Sequence, residues 1–317
     1  MPPLARRAIS ALGVVAGVVT LMFFLLRLAP GDPALLLVGP SATQEQLAAQ
    51  RVAMGLDRPL PVQYAAWVGR FARGDWGRSI ATGRPVRAML ADAWPATVRL
   101  VGISLLLSYL AGIAIGVVQA VRGGRLDTAL SVATVTLFAL PGYWLGLMLV
   151  MLFTYRLRVL PAFGSAGFDS DFLTGWERTA DRLRHLALPL ATLTLVGLGG
   201  TARFVRGAML DVVGEPYIAT ARAKGLTDID VALRHTLRNA LIPVVTLLGL
   251  SLPALFSGAV FVEAIFAWPG VGRILVEGVQ ARDYPVVMAA TAVSAVLVVL
   301  GNLLAEALTI WADPRVR

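Results

Sequence analysis

The chain has 317 residues, of which 57% are hydrophobic and 15% are charged, and its mean hydropathy is +0.74. This composition excludes an ordinary soluble domain and predicts an integral membrane protein. The sequence contains no cysteine, which excludes disulfides and thiolate metal sites. The net charge of +9 is explained by arginines that anchor helices at lipid headgroups, so it does not indicate nucleic-acid binding.

Apolar residues fall in blocks that are long enough to cross a bilayer, and these blocks lack charged side chains. A charge at the centre of a membrane helix costs about 2.5 to 3.5 kcal/mol on insertion scales. A membrane barrel would alternate apolar and polar residues, which these blocks do not. We therefore predict an all-α membrane protein with six transmembrane helices. The blocks are residues 8–26, 100–121, 128–155, 186–202, 240–262 and 284–305.

Glycine and proline within the blocks predict how these helices pack. Gly112 and Gly116 form a small-xxx-small pair, which favours close approach of a second helix. Pro141, Pro189, Pro243 and Pro253 allow kinks in these helices. The block 186–202 is the shortest of the six, and its proline and three glycines make it the weakest prediction of a span.

Arg6 and Arg7 precede the first block, as basic residues precede the apolar part of a secretory signal. The apolar run is longer than the roughly 7 to 15 residues of such a signal. We therefore expect an uncleaved first helix.

The polar region 29–96 follows the first block. Within it, residues 44–54 and 62–71 are amphipathic and are separated by GLDRPLP at 55–61. This pattern predicts a small helical cap on the outer face. Such a cap could receive a partner or a substrate, or it could be a lid that only stabilises the bundle.

Basic residues indicate the orientation in the membrane. They are concentrated in the short segments that lie inside if the N-terminus is inside, whereas the outer segments spread theirs over about twice the length. Six crossings then place both termini in the cytoplasm. The inner basic residues are Arg6, Arg7, Arg122, Arg125, Arg203, Arg206, Arg222, Lys224, Arg234, Arg238, Arg315 and Arg317.

The segment 214–239 is polar and lies between two apolar blocks. Pro216 suits the first turn of a helix, and Gly225 suits the left-handed residue that ends it, so residues 216–224 are predicted to be helical. Thr227 is a predicted N-cap for a second helix, with Asp228 and Asp230 in its first turn, where the helix dipole favours anions. The sequence thus predicts helix, tight turn and helix. Small side chains on the first helix would allow another protein to approach it closely.

The residues do not suggest catalysis. The two histidines, His185 and His235, have no other metal ligand at helical spacing, and Lys224, the sole lysine, lies between Ala223 and Gly225 rather than in a phosphate-binding loop. Nucleotide hydrolysis would therefore need another subunit.

Two other classes of membrane protein have sequence requirements that can be compared with this chain. An intramembrane hydrolase needs a nucleophile with a base, or a metal, within the bilayer, and the six blocks hold no ionisable group that could serve. A secondary transporter needs coupling acids near mid-membrane, whereas Glu263 and Glu306 lie at helix ends. Neither class fits the sequence.

Several ordered motifs resemble those of one transporter family, and the resemblance runs from the first helix to the last residue. The chain is similar to permease subunits of the dipeptide, oligopeptide and nickel family of binding-protein-dependent ABC importers. The motifs are LRLAPGDPA (26–34), GLDRPLPVQY (55–64), GDWGRSIATGRPV (74–86), YIATARAKG (217–225), RHTLRNALIPVVT (234–246), FVEAIFAWPGVG (261–272), RDYPVV (282–287) and DPRVR (313–317).

This resemblance implies a type I ABC importer permease bundle whose inner loop carries an EAA-xxx-Gly signature that inserts into an ATPase subunit as a coupling helix. Here Gly225 matches the glycine, while Ala219, Thr220 and Ala221 occupy the EAA positions, so the acidic residue is missing. The sequence HTLR at 235–238 also departs from the wider superfamily pattern. Both departures are typical of the peptide and nickel branch. The implied contact residues are Glu215, Tyr217, Ile218, Ala219, Thr220, Ala221, Arg222, Ala223, Lys224 and Gly225.

The resemblance also implies the partners: a second homologous permease, two ABC ATPases, an extracytoplasmic binding protein and the bilayer of the bacterial inner membrane. ATP and Mg would be bound by the ATPases, with no cofactor in this chain. Peptides are the first expectation for the solute, with nickel complexes, glutathione or another small solute as alternatives. Glu263 would either hold the WPG turn or line an outer gate.

The predicted organisation has four parts. An N-terminal tail with the first helix (1–28) precedes the extracytoplasmic region (29–96). A five-helix core (97–312) contains the cytoplasmic coupling loop 203–239, and a C-terminal tail (313–317) follows.

Overall fold

The computed structural model describes residues 3–28, 31–39 and 41–312. The C-terminal tail at 313–317 and residues 29 and 30 at the start of the predicted outer region lie outside these ranges. The regular structure of the described chain is helical, with one isolated bridge between Arg78 and Pro85. The helices are α1 (Pro3–Leu28), α2 (Pro33–Val38), α3 (Gln44–Ala53), α4 (Leu60–Ala72), α5 (Val86–Arg122), α6 (Gly124–Ala139), α7 (Gly142–Leu149), α8 (Gly175–Val213), α9 (Pro216–Ala223), α10 (Asp228–Asp230), α11 (Leu237–Ile265), α12 (Val271–Gln280) and α13 (Tyr284–Ala312).

Four helical segments are by themselves long and apolar enough to cross a membrane, and a bent pair makes up to five. The predicted block 240–262 lies within α11, a helix of 29 residues. Six crossings therefore remain a prediction. The four segments are Ser10–Leu28, Val86–Arg122, Gly175–Val213 and Tyr284–Leu304.

The block 128–155, expected as one span, is broken. Helix α6 ends at Ala139, and α7, continued by a π-helix over Val150–Arg156, begins at Gly142 with a bend of 105° between the two pieces. Leu140 has an extended backbone, as residues before proline prefer, and Pro141 has no N–H to continue the helical hydrogen bonds. The proline thus breaks the span rather than kinking it.

The fourth block, 186–202, lies within α8, a continuous helix of 39 residues that contains Pro189 and is long and apolar enough to cross a membrane, so this span is longer than predicted. Its glycines serve packing. A Cβ on Gly197 would lie 2.6 Å from Ser108 Oγ of α5, and one on Gly199 would lie 2.6 Å from the Thr134 carbonyl oxygen of α6. Glycine at these positions lets neighbouring helices approach α8 closely.

The predicted small-residue pair on α5 is confirmed in the same way. A Cβ on Gly112 would lie 2.7 Å from Thr201 Cβ, and one on Gly116 would lie 2.7 Å from the Ala202 carbonyl oxygen. A larger residue at either position would force α5 away from α8.

The chain forms two compact units. The first comprises Met1–Pro95 and Gly270–Val299. One of its cores is built from α5, α12 and α13 around Val86, Leu90 and Val286. The other is built from α1, α4 and α13 around Phe23 and Met288.

The second unit comprises Ala96–Pro269 and Leu300–Arg317. One core contains Leu100, Leu188 and Phe266, and another contains Val205 and Met209 of α8. Helix α8 packs against both α6 and α11 and is therefore the central helix of this unit.

The two amphipathic segments of the polar region 29–96 are helices, as predicted, and the location of that region outside the membrane stays a prediction. Thr43 caps α3 with a capping box, because its hydroxyl accepts from Gln46 N at 3.2 Å while Gln46 Oε1 accepts from Thr43 N at 2.9 Å. Asp32 caps α2 by accepting from Ala34 N.

Candidate functional site

The predicted helix, turn and helix are present at 216–230. Pro216 is the first residue of α9, and the helix ends where Gly225 adopts a φ of +81° and its N–H donates to the Arg222 carbonyl at 2.9 Å. A positive φ favours glycine because a Cβ would collide with the backbone. Thr227 begins the next helix by accepting from Asp230 N at 3.2 Å. Local sequence signals thus specified this segment correctly.

Only two side chains of the predicted contact helix face inward. Ile218 and Ala221 are buried and pack with Val231 and Val212. Because Ile218 is fully buried, it fixes which face of α9 points outward. The other predicted contact residues are exposed: Glu215, Tyr217, Ala219, Thr220, Arg222, Ala223, Lys224 and Gly225.

Apolar side chains lie on the outward surface of this otherwise polar segment. Tyr217 is 43% exposed, and Ile229 is 65% exposed, with Leu226 and Leu233 beside them in sequence. Asn239 Nδ2 donates to the Tyr217 hydroxyl at 3.0 Å, which holds the tyrosine in place. We call this set, Tyr217, Leu226, Ile229 and Leu233 with the outward face of α9, the α9 surface. Exposed apolar groups rimmed by charge are typical of a protein contact.

A polar network links three helices in the same unit as the α9 surface. Arg206 of α8 donates to both oxygens of Asp127 of α6, from Nε at 2.7 Å and Nη2 at 2.6 Å. Ser131 Oγ donates to Asp127 Oδ1, and buried Gln119 of α5 donates to Ser131. Two parallel hydrogen bonds fix the relative direction of α6 and α8. The two partners lie 79 positions apart in the chain, so no local sequence signal indicates this pair.

A groove of about 990 Å³ lies among α5, α8 and α11 of the second unit. Its lining is mainly apolar, with Arg203, Asp211 and Asn239 among its polar residues. The hydroxyls of Tyr109 and Ser251 are 2.8 Å apart and join α5 to α11 along it. The volume is at the upper end of the roughly 300 to 1,000 Å³ of small-molecule sites. Sequence reasoning did not identify the residues of this groove.

Glu263 lies in the last turn of α11, and its side chain is fully buried. Its carbonyl accepts from Trp268 N at 2.9 Å, and Trp268 Nε1 donates to the Ala96 carbonyl at 3.1 Å. Gly164 N donates to the Phe266 carbonyl at 2.8 Å, so the WPG turn is fixed on two sides. Both roles expected for Glu263, holding the WPG turn and lining an outer gate, stay predictions.

Comparison with known proteins identifies the class to which this fold and these motifs belong. Residues 110–317 match the family described as binding-protein-dependent transport system inner membrane component, and residues 2–101 match its N-terminal region. The chain belongs to this family.

Its relatives are similar over nearly their whole length. The oligopeptide transport system permease protein AppB of Bacillus subtilis (strain 168) is 38% identical over 313 residues, 98% of either chain. The probable D,D-dipeptide transport system permease protein DdpB of Escherichia coli (strain K12) is 41% identical over 328 residues, 99% of this chain and 96% of that one. The glutathione transport system permease protein GsiC of Salmonella paratyphi A (strain ATCC 9150 / SARB42) is 36% identical, with 98% and 97% covered.

One solved structure shares the fold. The MetNI methionine ABC transporter in an inward-facing conformation matches with a TM-score of 0.57 and 19% identity, covering 72% of this chain and 98% of that chain. At this identity the similarity concerns the fold.

Proposed function

We propose that the chain is the transmembrane permease subunit of an ATP-driven importer that moves peptides, delivered by a binding protein, across the bacterial inner membrane. The names of the relatives and the family support this proposal. A glutathione permease among the relatives supports glutathione as a second candidate solute. Nickel complexes and other small solutes are the remaining alternatives.

The observation that carries the proposal is the α9 surface. It presents apolar and polar side chains outward, while the buried Ile218 anchors the helix from the opposite side. It supports a contact with an ATPase subunit, made by the residues from Glu215 to Gly225 that face outward. Ile218 and Ala221 act from beneath, because they anchor the helix to Val231. Movement of the ATPase would thus reach α8 and α11, which α9 and the turn connect.

The proposed assembly contains a second homologous permease, two ATPases and the binding protein. ATP and Mg belong to the ATPases, and this chain contributes no catalytic residue. We propose six crossings with both termini in the cytoplasm and residues 29–96 outside, which the distribution of basic residues supports.

The groove among α5, α8 and α11 is a candidate for the inner part of the solute path. Its Arg203 and Asp211 carry the two charges that a zwitterionic peptide needs for its ends. The Tyr109 and Ser251 hydroxyls add hydrogen-bonding groups within an apolar wall.

Site-specific photocrosslinking tests the proposed contact. Benzoylphenylalanine replaces Tyr217 or Ile229, and it replaces Val52 of α3 as the control, because Val52 is 62% exposed and Ile229 is 65% exposed. The chain is co-expressed with the other subunits of its importer, including the ATPases. We expect an ATPase crosslink from positions 217 and 229 and none from position 52. Crosslinks at neither position, in an importer that transports, would contradict the contact.

A further inference from the structure

Helix α4, the second helix of the predicted cap, has an outward face that does not pack on the rest of its unit. We propose that α4 lies in the lipid of the membrane beside α1 rather than in water above it, with its outward face against acyl chains. The inference needs α1 to span the membrane and does not depend on transport or on the α9 surface.

The inward face of α4 is aromatic and packs on α1. The rings of Tyr64 and Phe23 have centroids 5.3 Å apart, and those of Tyr64 and Phe24 stack at 6.1 Å. Trp67 also packs near Phe23 at 6.4 Å and stacks on Phe71 at 5.1 Å. These contacts fix α4 along the side of α1.

The depth of this contact is set by Thr20. Its Oγ1 lies 2.6 Å from the Tyr64 hydroxyl, in a hydrogen bond that either group can donate. At 1.5 Å rise per residue, Thr20 lies about 12 Å along the helix axis from Leu28, where α1 ends. Because Ser10–Leu28 is the membrane span of α1, the end of Tyr64 lies well inside that span.

The opposite face of α4 is exposed and apolar. Val62 is 46% exposed and Val68 is 38% exposed, with the exposed alanines 65, 66 and 72 between and after them. The helix contains no acidic residue. At 100° per residue, Val62, Ala65 and Ala66 lie on the side away from Tyr64, Trp67 and Phe71. Ala72 lies at the edge of that side, and Val68 lies about 40° from Tyr64 on the flank of the helix. A helix in water would carry polar residues there.

Helix α3 shows the contrast. Its exposed side chains include Gln44, Glu45, Gln46 and Arg51, and Val52 is the one large apolar side chain exposed on it. The basic residues of α4 stand only at its end, with Arg70 in the last turn and Arg73 as the C-cap. Long arginine side chains at the end of an embedded helix reach the phosphates of the headgroups. The two helices of the region thus suit different solvents.

Lipid also surrounds the outward face of α1, which continues the apolar surface. Leu21 is 62% exposed and Leu25 is 54% exposed. Only 11% of the α1 span is buried within the chain. Lipid acyl chains must therefore cover the exposed face of α1, and the outward face of α4 continues that surface.

Nitroxide accessibility distinguishes lipid, water and protein at this face. Because the chain has no cysteine, Ala66→Cys can be spin-labelled without further changes. Leu21→Cys is the lipid control and Ala48→Cys, exposed on α3, is the water control. The full chain is reconstituted with its co-expressed subunits in phosphatidylethanolamine and phosphatidylglycerol vesicles, and collision with oxygen is compared with collision with a water-soluble nickel chelate.

We expect the label at position 66 to behave like that at position 21, with high oxygen accessibility and low nickel accessibility. Nickel accessibility as high as at position 48 would place the face in water and overturn the proposal. Low accessibility to both reagents would mean that another protein covers it, which also overturns the proposal. Thermal unfolding of the three labelled variants, compared with the unlabelled chain, identifies any that have not folded.

Discussion

Ser79 and Asp283 form a hydrogen bond that joins two motifs 204 positions apart, the hydroxyl of Ser79 donating to Asp283 Oδ2 at 2.5 Å. The same carboxylate oxygen accepts from Ala81 N at 3.2 Å, while Val286 N donates to Oδ1 at 3.4 Å. Asp283 is 2% exposed. The loop at 74–86 is thereby fixed to the start of α13, which explains why GDWGRSIATGRPV and RDYPVV both contain polar residues.

Asp283→Ala is expected to lower stability by about 2 kcal/mol, because it leaves buried donors of the loop without their acceptor. Ser79→Ala should cost less. It removes the hydrogen bond to Asp283 and the one that Thr82 N donates to Ser79 Oγ at 3.0 Å, but Ala81 N and Val286 N keep the Asp283 carboxylate as their acceptor. Thermal unfolding in detergent measures both. The control is Asp92→Ala, whose carboxylate pairs with Arg84 at 2.7 Å on the exposed surface and should matter by under about 1 kcal/mol. Equal midpoints for the Asp283 and Asp92 variants would contradict this role.

The proposed topology predicts opposite labelling of Ser41 and Ala219. Both residues lie outside the apolar spans and are exposed, so a cysteine at either position can react. An impermeant maleimide applied to intact cells or spheroplasts should label Ser41→Cys, and Ala219→Cys should react only in inside-out vesicles. Labelling of both from one face would show that the number of crossings between them is even, against the three proposed by block order.

Glu263→Gln distinguishes the two expected roles of this carboxylate, holding the WPG turn and lining an outer gate. The substitution keeps the shape of the side chain and removes its charge. Because the side chain is fully buried, we expect a change in stability with solute uptake per folded molecule unchanged. The measurement is uptake normalised to the amount of assembled importer. A large loss of normalised uptake with unchanged stability would support the gate instead.

The sequence predicted features that depend on neighbouring residues. Pro216 at the start of α9, Gly225 after it and the Thr227 cap each act within one helical turn, so their signals could be read directly. The amphipathic helices of the predicted outer region and the Gly112 and Gly116 packing pair are of the same kind.

Features that depend on distant partners could not be read. The apolar block 186–202 predicted the central part of α8 but not its length, because polar residues continue the helix at both ends. Pro141 indicates that the helix is interrupted after Ala139, but it does not specify the bend of 105° between the two pieces. Pairs such as Arg206 with Asp127 form only once the helices have packed. The inward direction of Ile218 also depends on Val231, beyond the turn.

The groove predicts the effect of filling it at Gly207. A Cβ there meets no other atom within 4 Å, so the side chain of Gly207→Phe would begin in open space and add bulk to the groove. If the groove is part of the solute path, uptake falls several-fold while ATPase subunits remain bound. Gly17→Phe on α1 is the control, because its surroundings are equally open. If the second permease is lost from the purified importer instead, the groove is an interface between permeases.

Gly225→Val tests whether the turn after α9 directs the proposed ATPase contact. Valine at a φ of +81° meets a steric cost of about 1 to 2 kcal/mol, so the turn would relax and redirect α10. Membrane insertion depends on the apolar spans and should persist, while ATPase co-purification falls or hydrolysis loses its stimulation by solute and binding protein. Lys224→Glu should do less, because exposed charges contribute under about 1 kcal/mol.

The matched control is Gly123→Val. Gly123 has a φ of +60° and a ψ of −164°, a conformation that is essentially restricted to glycine, so valine there is strained at least as much as at position 225. It has no neighbour within 4 Å and lies in the other short loop predicted to be inside. If strain alone caused the effect, Gly123→Val would lose the ATPases at least as much as Gly225→Val. If the α9 surface is the contact, only Gly225→Val does. ATPase binding and stimulated hydrolysis at the level of the unmodified chain in Gly225→Val would overturn the assignment of the α9 surface.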